Sequence, residues 1–376
     1  MRLRTAATAA AICLGAGAVA VAAGRYVSGL ALNPRLNGPA LGPPTGESDL
    51  LTVHGIEPGA ITLSRTLVSL RPGVYGLAAE GCHALLGPVL AHTPDSITRR
   101  LDQVQEGTLT AGMQVRLTPE VYTGDPLTAH GLEYRDVDID GELGPMPAWF
   151  VPGDRSTCVI AVHGLGTTRC QPLVVLPLLH RLRFPVLIMT YRNDAGAPKS
   201  PDGIGHLGDT EWHDVDAALR YAVRHGAERA VIYGWSVGAA MALRVADNSP
   251  QRSRISGIIL DSPVLDWQST LRGLARGHGV PTLLLPLAIR AAQGRTGLHA
   301  EHLTDFAEPA KPAVPALVFH GPDDTIAPWR YSRRFATLRN DLVTLHTIAD
   351  AGHQAMWNAD PDRYEEVLRR FLIPLM

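Results

Sequence analysis

The sequence predicts an α/β protein with a mostly parallel sheet flanked by helices, and three observations predict it. First, near-continuous apolar runs at Cys158–Val162, Val186–Thr190, Arg229–Tyr233 and Ile258–Asp261 are separated by helical stretches near 171–183 and 210–225. Strands without polar alternation are buried on both faces, as in a parallel sheet covered by helices. Second, Gly234-Trp235-Ser236-Val237-Gly238 lies between one such run and the helical Ala239–Ala246. Third, His320-Gly-Pro-Asp-Asp324-Thr-Ile-Ala-Pro328 and Ala351-Gly352-His353 each follow a strand-like run, Val314–Phe319 and Leu342–Ile348.

Arg2 and Arg4 precede an uncharged Ala/Val/Gly-rich stretch, Thr5–Gly24. A charged start followed by an apolar run is the pattern of a secretory signal, and the run also has the length of a bilayer span. Residues 1–28 are therefore expected to be a signal peptide or an N-terminal membrane tether through residues 5–24. Either places the folded part outside the cytoplasm. Residues 29–49, rich in Pro, Gly and Asn, read as an extended linker. Residues 50–128 carry strand-like runs at Ala60–Leu67 and Met113–Thr118, interrupted by the turn signals Arg71-Pro-Gly and Thr123-Gly-Asp-Pro, and read as a small β-rich accessory segment. The main domain is expected over 129–376. It starts with an alternating strand, Glu133–Asp140, paired with Pro147–Val151 across a Gly-rich turn. Residues 262–312 break the strand–helix alternation with helices expected over Leu271–Gly279 and Pro281–Gln293.

Composition excludes several classes. Charged residues make up 19% of the 376 and the formal net charge is −2, so no nucleic-acid footprint is present. No Cys/His spacing suggests a metal. Cys158 reads as a core residue, with a Cys158–Cys170 bridge open to an exported chain.

The chemistry rests on Ser236. A serine between glycines, after a strand and before a helix, sits on a turn so tight that only glycine leaves room beside it. Serine needs a neighbouring base, and His353 is the candidate. The order Ser, Asp, His differs from that of chymotrypsin and subtilisin. At these residues the chain resembles the α/β-hydrolase superfamily of serine hydrolases over roughly residues 130–376, with similarity to single-domain bacterial esterases and to the prolyl oligopeptidase catalytic domain. That resemblance implies an α/β-hydrolase fold with a short helical cap over 262–312. It also implies an acyl-enzyme on Ser236, no cofactor, and small-molecule esters as substrates. The acid falls on Asp324, four residues after His320 and four before Pro328. Asp323 as its neighbour and Asp261 at the end of its strand remain rivals. Leu165, in His163-Gly-Leu-Gly166, and Val237 would supply the oxyanion-hole N–H groups. Tyr191 would add a hydroxyl or bind substrate, Arg192 would meet a substrate carboxylate, and Trp235 would pack beneath the site or line the acyl pocket. Two other readings stand: a peptidase, suggested by the Tyr191 loop though residues 50–128 are too few for a β-propeller, and a non-catalytic binding module.

Overall fold

The computed structural model describes residues 50–277 and 313–376, with Pro286 and Arg290 between them. The expectations for the leader, the linker and most of the 262–312 cap lie outside these residues. Among the described residues, no helix is long and apolar enough to cross a membrane.

The β-rich segment is a closed antiparallel barrel of six strands. These are β1 (Leu51–Glu57), β2 (Ala60–Ser64), β3 (Tyr75–Ala79), β4 (Cys82–His92), β5 (Ser96–Glu106) and β6 (Gln114–Thr118), in the order β1-β2-β5-β4-β3-β6. Closure leaves no unpaired edge, so a core as small as Leu51, Val53, Ile61, Leu63, Leu77 and Val115 can be sealed. Arg99 is fully buried beside that core. Its guanidinium donates to the carbonyls of Gly87, Ser69, Arg71 and Gly73 at 2.7–3.1 Å, a set of backbone acceptors that satisfies a buried cation.

A short helix, α1 (Pro126–His130), capped by Asp125, leads into the second unit. Hairpin strands β7 (Arg135–Gly141) and β8 (Gly144–Val151) precede β9 (Thr157–Val162), α2 (Leu176–Arg181), β10 (Val186–Met189), α3 (Trp212–Arg224), β11 (Arg229–Trp235) and α4 (Val237–Asn248). Then follow β12 (Ile255–Asp261), α5 (Trp267–Gly277), β13 (Ala316–His320), α6 (Trp329–Leu338), β14 (Val343–Thr347), α7 (Met356–Ala359) and α8 (Pro361–Leu372). The sheet order is β14-β13-β12-β11-β9-β10-β8-β7. Strands β9 to β14 are parallel, and β8 runs antiparallel to β10 and to β7. The mixed sheet is the α/β-hydrolase fold that the sequence implied.

Both faces are buried, as the unbroken apolar runs required. Helices α3 and α4 cover one face with small residues such as Ala217, Ala218, Ala239 and Ala242. Helices α2 and α8 cover the other with Leu176, Leu179, Leu368 and Leu372. The chain leaves β9 for β10 on one side and crosses to β11 on the other, so the switch point lies between β9 and β11. In open α/β sheets, ligands bind outside the carboxyl ends of the strands at such a point.

The three described cysteines are free thiols, which corrects the Cys158–Cys170 bridge. Cys158 is locked in the sheet core, where burial pushes its thiol up to about 12. Cys170 donates instead to the Gly124 carbonyl.

Candidate active site

Ser236 follows β11 at the switch point and starts α4. Its backbone has φ 51° and ψ −112°, a region a non-glycine residue enters at a cost of about 1–3 kcal/mol. The flanking glycines have the steric reason expected of them. A Cβ on Gly234 would overlap the Gly238 carbonyl, and one on Gly238 would overlap the Val162 carbonyl at the end of β9. The strand, turn and helix can therefore close only as the sequence has them.

Three side chains far apart in the chain meet here. Ser236 Oγ lies 2.8 Å from His353 Nε2, and His353 Nδ1 lies 2.7 Å from Asp324 Oδ2. All three are buried. Burial works to raise the Asp324 carboxyl, but His353 and His320 outweigh it and hold the group well below the ordinary carboxylate range. Asp324 Oδ1 also accepts from the N–H groups of Ile326 and Ala327 at 2.9 and 2.8 Å. The carboxylate is thus fixed on both oxygens.

The rivals for the acid sit elsewhere. Asp323 is exposed and accepts from the Asp350 N–H, a turn contact. Asp261 is buried, accepting from Ser262 Oγ at 2.8 Å and from the Tyr364 hydroxyl at 2.9 Å. Burial pushes its carboxyl up to about 7, against the pull of those two donors.

Leu165 and Val237 line the same small cavity as Ser236 and His353. The 163–168 loop carrying Leu165 is held by a buried polar network. Gln171 Oε1 accepts from Gly164 N–H and from the Thr167 hydroxyl, at 2.9 and 2.7 Å. Gln354, next to His353, accepts from Gln171 Nε2 at 3.0 Å and donates to the Leu165 carbonyl at 3.1 Å. Leu165, Leu207 and Val237 also border a larger cavity of about 720 Å³, which Tyr191 and Arg169 help to line.

Three residues make contacts that the sequence did not show. The Tyr191 hydroxyl donates to the Gly164 carbonyl at 3.1 Å and its ring stacks on His163, so it is committed to the loop and supplies no free donor. Arg192 borders the larger cavity, but its guanidinium is held in a two-pronged pair with the buried Asp214 at 2.9 and 2.8 Å, so its charge is already balanced within the protein. Trp235 stacks on Tyr233 in the core beneath the sheet and borders none of the cavities described here. Strand parity explains it: Val231, Tyr233 and Trp235 share one face of β11, away from α4.

Sequence reasoning passed over His320, Gln354 and Thr270. His320 Nε2 sits 3.0 Å from Asp324 Oδ2, and its Nδ1 sits 2.7 Å from Ser332 Oγ, so the acid lies between two histidines. The spacing of four between His320 and Asp324 placed Asp324 in the sequence but gave His320 no role of its own. Thr270, on α5, lines the cavity at Ser236, and its buried hydroxyl has no partner among the described residues. Nothing in the sequence marked it or Gln354.

A doubly covered, mostly parallel sheet with a strained serine at its switch point defines the hydrolase class of α/β proteins. Residues 159–367, more than half of the chain, match the model of the Alpha/beta hydrolase family, and the chain belongs to that family. Residues 52–118, the barrel, match a second model, a Domain of unknown function (DUF8805). The chain is similar to the uncharacterized protein YfhR of Escherichia coli K12, at 24% identity over 260 residues that span 68% of this chain and 82% of that protein. The Salmonella typhimurium YfhR is likewise 24% identical over 272 residues. Among solved structures, the Pyrococcus furiosus esterase Pf2001 superposes with a TM-score of 0.54 at 20% identity, covering 65% of this chain and 92% of that one.

Proposed function

We propose that this protein is a serine hydrolase that cleaves carboxylic esters through an acyl-enzyme on Ser236. The observation that carries the reading is the continuous chain from Ser236 Oγ through His353 to Asp324, at 2.8 and 2.7 Å. Both distances are in hydrogen-bond range, the geometry a general base needs.

The steps follow from the geometry. His353 Nε2 takes the hydroxyl proton as Oγ attacks the ester carbonyl. Asp324 holds the ring with Nδ1–H toward itself and stabilises the cation that forms. The N–H groups of Leu165 and Val237 receive the developing oxyanion, each donor contributing about 3–4 kcal/mol to the transition state. His353 returns its proton to the leaving alcohol. A water activated by the same nitrogen then releases the acid and restores the serine.

The larger cavity gives the substrate its room. It meets the serine site along Leu165, Leu207 and Val237, and its volume of about 720 Å³ falls in the range of small-molecule pockets. The similar Pyrococcus protein is an esterase, in keeping with an ester substrate. The peptidase alternative, suggested by the Tyr191 loop, has less support, since the Tyr191 hydroxyl pairs with Gly164 and the segment before the hydrolase domain is a small barrel. The charged start and apolar run of residues 1–24 support export of the domain, and N-terminal sequencing of the mature protein from the cell envelope tests that.

The function is tested with a chain-length series of p-nitrophenyl acyl esters, using Ser236→Ala as control. Turnover that peaks at one acyl length and vanishes in the control is expected. Equal rates for parent and control would overturn the assignment.

A further inference from the structure

Two of the barrel's contacts with the hydrolase domain fall on or beside the loops that carry the site. The first contact follows β6. Glu120 is buried, and its Oε1 accepts from both the backbone N–H and the hydroxyl of Thr168, each at 2.6 Å. Its own carbonyl meets His83 Nε2 at 3.0 Å, and His83 Nδ1 meets Gln105 Oε1 at 2.9 Å, so the residue is rooted in β4 and β5. Thr168 closes the loop in which Thr167 and Gln171 hold Gly164.

The second contact is the turn between β2 and β3. The Arg71 guanidinium lies against Gly352, the residue before His353, so closely that a Cβ there would overlap it. Gly73 is backed onto the carbonyls of Asn358 and Ala359 with the same lack of space. Val74 N–H donates to the Asn358 carbonyl at 2.8 Å, and Asn358 Nδ2 donates to the carbonyls of Val74 and Pro119 at 2.9 and 3.1 Å. Inside the barrel, Arg99 fixes the carbonyls of Ser69, Arg71 and Gly73 and so sets the shape of this turn.

We propose that the barrel is a positioning domain for catalysis: Glu120 holds the 163–168 loop, and the Arg71–Gly73 turn holds the His353 loop, in the reacting geometry. This rests on the serine hydrolase reading. The physical need is clear. A donor or base displaced by 1 Å loses about 10²-fold in rate, and surface loops do not hold such tolerances alone. Thr168 directs both of its donors at the barrel. Without the acceptor both donors of this partly buried residue lose their protein partner, and the loop would rearrange to find others.

The test uses the full chain with Glu120→Ala and Glu120→Gln, steady-state kinetics on a p-nitrophenyl ester, and amide hydrogen exchange. Glu120→Ala is expected to lower kcat about tenfold or more with KM within about twofold, because the loop acts on the transition state. Glu120→Gln keeps an acceptor oxygen and should recover most of the rate. Amides of Leu165–Thr168 should exchange faster in the alanine variant and near the parent rate in the glutamine one. A folded Glu120→Ala protein with unchanged kcat and exchange overturns the proposal. Should that variant not fold, Arg71→Ala decides, with faster exchange at Gly352–Gln354 and lower kcat expected and no change overturning it. If the parent shows no Ser236-dependent turnover, the hydrolase reading fails, and the exchange comparison alone judges the positioning role.

Discussion

Asp261 allows a prediction in which stability and catalysis separate. Its carboxyl is fully buried one strand from Ser236, and burial raises it from an ordinary value of 3.8 to about 7. The folded protein therefore holds a proton there that the unfolded chain gives up near pH 4. Between these values the native state binds more protons, so stability falls as pH rises, and the loss is complete above about pH 7. A gap of about 3 pH units at 1.36 kcal/mol per unit amounts to about 4 kcal/mol, of which about 3 kcal/mol falls between pH 4.5 and 8. Asp324 titrates below that window and does not interfere. Asp261→Asn removes the charge and keeps the shape, since the amide can accept from one hydroxyl while the Tyr364–Tyr233 hydroxyl pair reorients. Urea denaturation of parent and variant from pH 4.5 to 8 should show the variant gaining about 3 kcal/mol relative to the parent. Its ester turnover at pH 8 should stay within a few-fold. A stability difference that stays constant within about 1 kcal/mol across the range would refute the titration. Loss of turnover in a folded variant would return Asp261 to the catalytic role.

Asp324→Asn should lower kcat by about 10⁴-fold, the effect of amidating the orienting acid of a serine-protease triad, while Asp323→Asn should change it little; steady-state rates of the pair check the acid. Arg192→Met leaves Asp214 buried and uncompensated, so a loss of about 3–5 kcal/mol in denaturant stability is expected, with KM for neutral esters nearly unchanged. Thr270→Val removes a buried hydroxyl without a described partner, so the protein should melt slightly higher. If that hydroxyl serves substrate, kcat/KM falls several-fold in the same variant, and calorimetry alongside kinetics separates the effects.

The parts legible in the sequence were those written locally. The apolar runs of β9 to β12 gave a parallel sheet because a strand buried on both faces has no polar alternation to hide it. Gly234 and Gly238 betrayed the turn because steric overlap with Gly238 and Val162 forbids any larger residue. Ser236, His353 and Asp324, which the structure brings together, were each singled out by their place after a strand. The barrel was only half legible. Its two longest strands, β4 and β5, pair through four register shifts, and bulges destroy the period of two on which strand reading depends. Arg99 disguised the rest. A charged residue reads as solvent-facing, yet this one is buried because four backbone carbonyls surround it, and those carbonyls come from β4 and the β2–β3 turn, 12 to 30 residues away.

The same distinction accounts for what went astray at the site. Trp235 packs beneath the site, one of the two places expected of it, and Tyr191 and Arg192 border the larger cavity, but the Tyr191 hydroxyl and the Arg192 guanidinium turn to partners within the protein. Direction depends on a partner elsewhere: Gly164 for Tyr191, Asp214 for Arg192, Tyr233 for Trp235. Proximity in sequence to a nucleophile is thus weak grounds for a role, whereas residues remote from it, Glu120 at the mouth of the barrel and Gln354 across the 163–168 loop, hold the backbone on which the chemistry would depend. A triad can be found by its motifs because each member must be a particular residue type. Its supports need only an acceptor or a donor at the right point, and many side chains can provide one, so they leave no mark in the sequence and become visible only when the loops are seen together.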